Sequence, residues 1–126
     1  MFKHSKAISS FSVDNIEAAT HFYKEVLEME VVENGMGLLE LQIENGTVIL
    51  IYPNENHVPA NFTILNFPVE NIDEAVEVLN QKKIQLEHYN LPAIQTDEKG
   101  ISRGNPNVAW FRDPAGNILS LIQEGE

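Results

Sequence analysis

The sequence predicts an α+β fold built from two tandem βαβββ modules, and three observations carry that expectation. FSVDNIEAA at 11–19 returns as FPVENIDEA at 67–75, with Phe11 matching Phe67, Val13 matching Val69, Asn15 matching Asn71, Ile16 matching Ile72 and Ala19 matching Ala75. A second, independent echo appears when Gly46 is set over Gly116, which lays GTVILIY over GNILSLI. Each half also runs in one order: a strand, a helix, then antiparallel strands. At 126 residues the chain is one domain by length. Module one is expected at about 5–53, a linker at 54–61 and module two at about 62–124.

Residues 7–13 read as a strand, with apolar Ile8, Phe11 and Val13 and hydroxyls between. Asp14 or Asn15 then caps a helix, with Glu17 three residues beyond Asp14 as in a capping box. Ile16, Ala19, Tyr23, Val26 and Leu27 recur at helical spacing and mark its buried face. LLELQIENGTVILIY at 38–52 is a hairpin, because two β-rich runs flank Asn45-Gly46. NENHVPAN at 54–61 is polar and follows neither period, so it reads as the linker. The order then repeats. A strand covers 62–69, and Asn71 caps a second helix whose stripe is Ile72, Ala75, Val76 and Leu79. A weaker strand is expected at 84–88, and NVAWF and NILSLIQ flank Asp113-Pro114-Ala115-Gly116 as a closing hairpin.

The apolar fraction of 43% and charged fraction of 21% are those of a soluble globular protein. The absence of cysteine excludes disulfides, cysteine-ligated zinc and thiol nucleophiles. Nineteen acidic side chains against 8 basic ones give a net charge of −11. That argues against nucleic acid, which needs a basic footprint, and suits a cationic guest through the summed field. MFKHSKAISSF has no apolar stretch of signal-peptide length, and no run approaches the ~20 residues of a membrane span. The expected location is cytoplasmic, away from membranes.

HFYKEVLEMEVV at 21–32 and WFRDPAGNILSL at 110–121, taken with the module order, carry a family resemblance over most of the chain. The chain resembles the glyoxalase/bleomycin-resistance/dioxygenase superfamily, the vicinal oxygen chelate fold. The resemblance implies a curled mixed sheet in each module with a helix on its outer face, the paired sheets forming a cup, and a homodimer. It does not select an activity, since the superfamily hosts lyases, dioxygenases, epimerases, thiol transferases and drug binders.

Metal-dependent members take one ligand from the first strand and one from the last strand of each module. By the resemblance these positions fall on Ile8, Leu50, Ile64 and Ser120. Aliphatic side chains have no lone pair and one neutral hydroxyl is a poor ligand alone, so no metal or other cofactor is expected there. A relocated site would draw on His88, the one histidine that is a candidate to look inward, with Glu40 as carboxylate partner. His4, His21 and His57 are expected in solvent.

Strand alternation then lists what faces the cup. Ser10 and Ser12 accompany Ile8, Val48 and Tyr52 accompany Leu50, and Glu40 and Gln42 share a face of their strand. Asn66 and Pro68 accompany Ile64, Ile118 and Ile122 accompany Ser120, and Trp110 walls the cavity. The candidate ligand pocket is therefore Ile8, Ser10, Ser12, Gln42, Leu50, Tyr52, Ile64, Asn66, Trp110 and Ser120, mostly apolar with scattered polar anchors. No His–Ser pair, glycine-rich phosphate loop or nucleophile elbow is legible. Residues 100–106 read as a candidate flap over the cup; Arg103 there is a candidate contact for an anion, with an exposed loop arginine as the commoner explanation. The expected function is capture of a small, largely apolar or cationic organic molecule without a metal. The alternative is a metal-dependent lyase or dioxygenase with relocated ligands, or a metal-free catalyst using Glu40 or Tyr52 for proton transfer.

Overall fold

The computed structural model describes residues 1–124 and divides the chain into two compact units, Met1–Pro59 and a second beginning at Ala60. The boundary falls inside the expected linker. In the first unit a short 3-10 turn at Phe2–His4 precedes β1 (Ser9–Val13), α1 (Ile16–Thr20), β2 (Glu30–Glu33), β3 (Leu39–Gln42) and β4 (Val48–Pro53). The second contains β5 (Thr63–Pro68), α2 (Ile72–Gln81), β6 (Ile101–Ser102), β7 (Asn107–Arg112) and β8 (Ile118–Gln123). The sheets have orders β1-β4-β3-β2 and β5-β8-β7-β6, each with one parallel pair between its first and last strands. Both units are thus βαβββ modules with one wiring.

The repeat extends to single hydrogen bonds. Asn15 Oδ1 accepts from Ala18 N at 3.0 Å, and Asn71 Oδ1 accepts from Glu74 N at 3.1 Å. Each asparagine has φ −139°, extended backbone from which its short side chain satisfies a donor left open by the helix start. Gly46 and Gly116 have φ of 90° and 86°, the left-handed conformation that each hairpin turn needs and that glycine adopts without Cβ strain.

In module one, α1 passes directly into a π-helical turn at His21–Val26, where Leu27 N donates to Phe22 O at 2.8 Å. The wider winding turns two successive rings inward, Phe22 as well as the expected Tyr23. They meet edge to face at 5.1 Å, and Tyr23 also lies 6.0 Å from Phe11. With Val13, Leu39, Leu41 and Ile51 these rings form the core of the unit. In module two, α2 buries Ile72, Val76 and Leu79 and packs on β7 and β8. Phe111 stacks on Phe67 at 6.5 Å beneath it.

Two expectations fail in module two. Residues 84–88 form no strand; Glu87 N donates to Trp110 O, but that edge of β7 is otherwise taken by β6, which pairs Ile101 with Ala109 and Ser102 with Val108. Nor is 100–106 a flap carrying a spare arginine. Asp97 Oδ1 accepts from the main-chain N–H of Lys99 and Ile101, both at 2.9 Å, folding the segment onto itself. Arg103 donates to Asp97 at 3.0 Å and grips Asp73, in the first turn of α2, through both Nη atoms at 3.0 and 2.8 Å. Lys99 Nζ joins Asp73 at 3.1 Å.

The cluster predicts an acid sensitivity. The hydrogen bond from Arg103, then that from Lys99, holds the Asp73 carboxyl well below the usual carboxylate range. Burial pushes Asp97 up, but bonds from Ile101 N, Arg103 and Lys99 N outweigh it and its net shift is downward. A carboxylate with a depressed folded pKa contributes stability that is present above its unfolded value, about 3.9, and is lost as pH falls through the folded one. Because the pairs are exposed, each contributes only about 0.2–1 kcal/mol. Asp73→Asn is therefore expected to lower stability slightly near neutrality, with the difference vanishing in acid. Urea titrations of both proteins at a series of pH values measure this, and a difference independent of pH would contradict it.

Candidate functional site

Register assigns the faces. In module one, Ser10, Leu50, Glu40 and Val32 stand side by side, Ser12 beside Tyr52, and Gln42 beside Val48. The opposite row of Phe11, Ile51 and Leu39 faces α1 and the core. The polar face is open: Ser10 is exposed, Tyr52 is 39% exposed and Leu50 half-buried. Ile8 does not belong to β1 as expected; it precedes the strand and is 53% exposed.

In module two, Asn66, Ser120 and Trp110 form one row, followed by Pro68, Ile122 and Val108. Ser120 is fully buried, and its Oγ donates to Asn66 Oδ1 at 2.5 Å. The alternation expected around Ile64 breaks, because the ladder slips between Thr63 and Leu65. Thr63, not Ile64, stands beside Ile118, and Ile64 is the extra residue of a bulge.

A cleft of about 380 Å³ lies in module two. Trp110 and Ile118 supply its wall from the sheet, Asn61, Phe62 and Thr63 come from the entry to β5, and Tyr89, Leu91 and Ile94 come from the loop before β6. Trp110 and Tyr89 meet edge to face at 5.5 Å. Their polar atoms are already engaged within the wall. Trp110 Nε1 donates to Thr63 Oγ1 at 3.1 Å, and the Tyr89 hydroxyl reaches Glu87 Oε1 at 3.5 Å, an oxygen that also accepts from Arg112 Nε at 3.2 Å. Burial, then the Glu87 carboxylate, pushes the Tyr89 phenol above its ordinary pKa, so it remains protonated at neutral pH. Aromatic rings are thereby presented to the cleft, while Asn61 brings a polar amide.

Of the expected pocket residues, only Trp110 lines this cleft. Tyr89, Leu91 and Ile94 escaped the sequence reading because their loop has no period, although a tyrosine near the one tryptophan-bearing strand was a usable signal. His4 and His21 are exposed as expected, and the other two histidines depart from expectation. His88 is exposed rather than inward-facing, and His57 is half-buried with Nδ1 2.6 Å from Ser12 Oγ. A His–Ser pair therefore exists where none was legible. Glu40 accepts from Asn34 Nδ2 at 3.3 Å and Gln42 Nε2 at 3.2 Å, a held carboxylate on the open face of β3.

A model of the Glyoxalase/Bleomycin resistance protein/Dioxygenase superfamily matches residues 7–121. The chain belongs to this superfamily. Solved members share its fold at low identity. A glyoxalase/dioxygenase from Nostoc punctiforme is 16% identical with TM-score 0.67, over 98% of this chain and 92% of that one. The genomically encoded fosfomycin resistance protein FosX from Listeria monocytogenes is 13% identical with TM-score 0.69, over 94% and 92%. A glyoxalase/bleomycin resistance protein/dioxygenase from Alicyclobacillus acidocaldarius is 12% identical with TM-score 0.69, over 98% and 93%.

The residues of this superfamily member do not fit a divalent ion at the positions the resemblance assigns. Ile8, Leu50 and Ile64 bring hydrocarbon, and the one oxygen, Ser120 Oγ, is buried against Asn66. Among the described residues, no group of three or more His, Cys, Asp or Glu is placed to hold a metal.

Proposed function

We propose that the protein binds a small, largely apolar organic molecule, favouring a cationic one, without a metal at the superfamily's usual positions. The observation that supports this is the aromatic cleft of about 380 Å³, within the range of small-molecule sites. Trp110 and Tyr89 line the cleft, and an aromatic face open to a guest attracts an organic cation by about 0.5–2 kcal/mol, depending on desolvation. A net charge of −11 draws such cations toward the protein. Two copies of the chain pairing as a homodimer in the cytoplasm complete the reading; the exposed apolar groups Ile8, just before β1, and Val32, on β2, support such pairing.

Thermal denaturation across a panel of planar aromatic and quaternary-ammonium compounds tests the binding. A ligand at a hundredfold excess over its Kd adds about 2.7 kcal/mol, a rise of several degrees in Tm. Quenching of Trp110 fluorescence should accompany it, since the chain has one tryptophan. Trp110→Ala should erase the shift while remaining folded. No response anywhere in the panel, or an equal response in Trp110→Ala, would refute the site. Metal analysis of protein purified without chelator, showing one tightly held ion per chain, would refute the metal-free part.

A further inference from the structure

Ser12 and His57 belong to module one, and neither lines the aromatic cleft. Their sequence separation hides a built arrangement. Asn54 N donates to Val13 O at 2.9 Å, holding the chain beyond β4 against the end of β1. Asn54 Oδ1 then accepts from Asn56 N, and Asn54 O accepts from His57 N, each at 2.9 Å. These bonds, none of which uses the imidazole, make a compact turn, and the turn delivers His57 Nδ1 to 2.6 Å from Ser12 Oγ. The pair is half-buried, while its neighbours on the same sheet face, Ser10 and Tyr52, are exposed. A small molecule can reach the hydroxyl from that side, and an acyl group over Ser12 would also meet Tyr52, directly opposite in the ladder.

From this geometry we infer that Ser12 and His57 are a nucleophile–base pair that accepts acyl groups from small carboxylic esters. A serine hydroxyl is a weak nucleophile until an adjacent base takes its proton, and a hydrogen-bonded imidazole is the usual base. With the imidazole proton on Nε2, the Ser12 hydroxyl donates to Nδ1. As Oγ attacks the ester carbonyl, that proton moves to Nδ1. The carbonyl–alkoxy bond then breaks, and the leaving alcohol takes the proton from the imidazolium. Water next attacks the acyl-serine while Nδ1 accepts one of its protons. That proton returns to Oγ as the carboxylic acid departs, so the pair is restored without oxidant, reductant or metal. Glu40, held by Asn34 and Gln42, takes no part.

The test incubates the full chain with p-nitrophenyl acetate, following nitrophenolate release and mapping the acetylated peptide by mass spectrometry. The expected result is release above the buffer rate with acetyl on Ser12. Ser12→Ala should remove both. His57→Gln, which keeps a hydrogen-bonding group of similar size but no base, should slow acetylation by about 10²-fold or more with the circular dichroism spectrum unchanged. Peptide mapping of the unsubstituted protein needs no variant to fold. Acetyl groups found only on lysines or the N-terminus, release equal to buffer, or undiminished release from Ser12→Ala would each overturn the inference.

Discussion

Replacing Phe111 by alanine is expected to cost about 3–5 kcal/mol of stability, whereas replacing its neighbour Trp110 costs far less stability but strips the cleft of its main aromatic wall. The two residues are consecutive on β7, so their side chains point to opposite faces of one sheet. Phe111 is 1% exposed, stands beside Leu119 in the ladder and stacks on Phe67. Its removal forfeits the transfer free energy of a ring and leaves a cavity that close-packed neighbours fill only partly. Against a total stability of roughly 5–15 kcal/mol for a domain, that loss brings the protein near its unfolding threshold. Trp110 is half-buried on the other face, so its replacement widens an opening that water can fill. Urea denaturation followed by circular dichroism measures both. A loss below about 1 kcal/mol in Phe111→Ala, or a larger loss in Trp110→Ala, would contradict the facial assignment on which the site rests.

The same alternation explains what was legible before any coordinates. The module order, both asparagine caps and both hairpins were readable because each depends on residues within a few positions of one another. Asn15 and Asn71 reach N–H groups three residues on, and Gly46 and Gly116 meet a local demand for positive φ. The register follows, since a slip by one residue would bury Glu40 and Gln42 and expose Leu39 and Leu41. What could not be read depends on distant partners. The π-helical turn at His21–Val26 departs from the 3.6-residue spacing that the reading assumed, and it buries Phe22 together with Tyr23. A two-residue strand such as β6 is too short to show any period, and the bulge at Ile64 breaks the alternation used to assign faces. The cleft draws Tyr89 and Ile94 from an aperiodic loop, and Ser12 meets His57 only because the chain doubles back after β4. Arg103 was readable only as a loop arginine, with an anion contact as the lesser candidate; its partners Asp73 and Asp97 become visible only when the loop is folded against α2.

Asp113→Ala is the second large effect, expected to destabilise the protein by about 2–4 kcal/mol although no hydrophobic group is lost. Asp113 is 4% exposed at the turn between β7 and β8. Its Oδ1 accepts the main-chain N–H of Ala115 at 3.0 Å and of Asn117 at 2.8 Å, while Oδ2 accepts Asn117 Nδ2 at 3.0 Å. Asn117 is itself only 2% exposed, so water cannot readily replace the missing acceptor. Leaving a buried donor without its acceptor costs about 1–3 kcal/mol, and a charged acceptor raises that figure. Asp113→Asn separates charge from geometry: its one oxygen still serves the main-chain donors, but its amide opposes the Asn117 amide, so an intermediate loss is expected. The turn joins the strand carrying Trp110 to the strand carrying Ile118, so loosening it also blurs the sheet wall of the cleft. In Asp113→Ala the denaturation midpoint should fall with little change in slope, and any ligand-induced rise in Tm should shrink with it. A midpoint unchanged in Asp113→Ala would mean that the turn holds through its main-chain bonds alone, Asp113 N to Asn117 O and Gly116 N to Asp113 O.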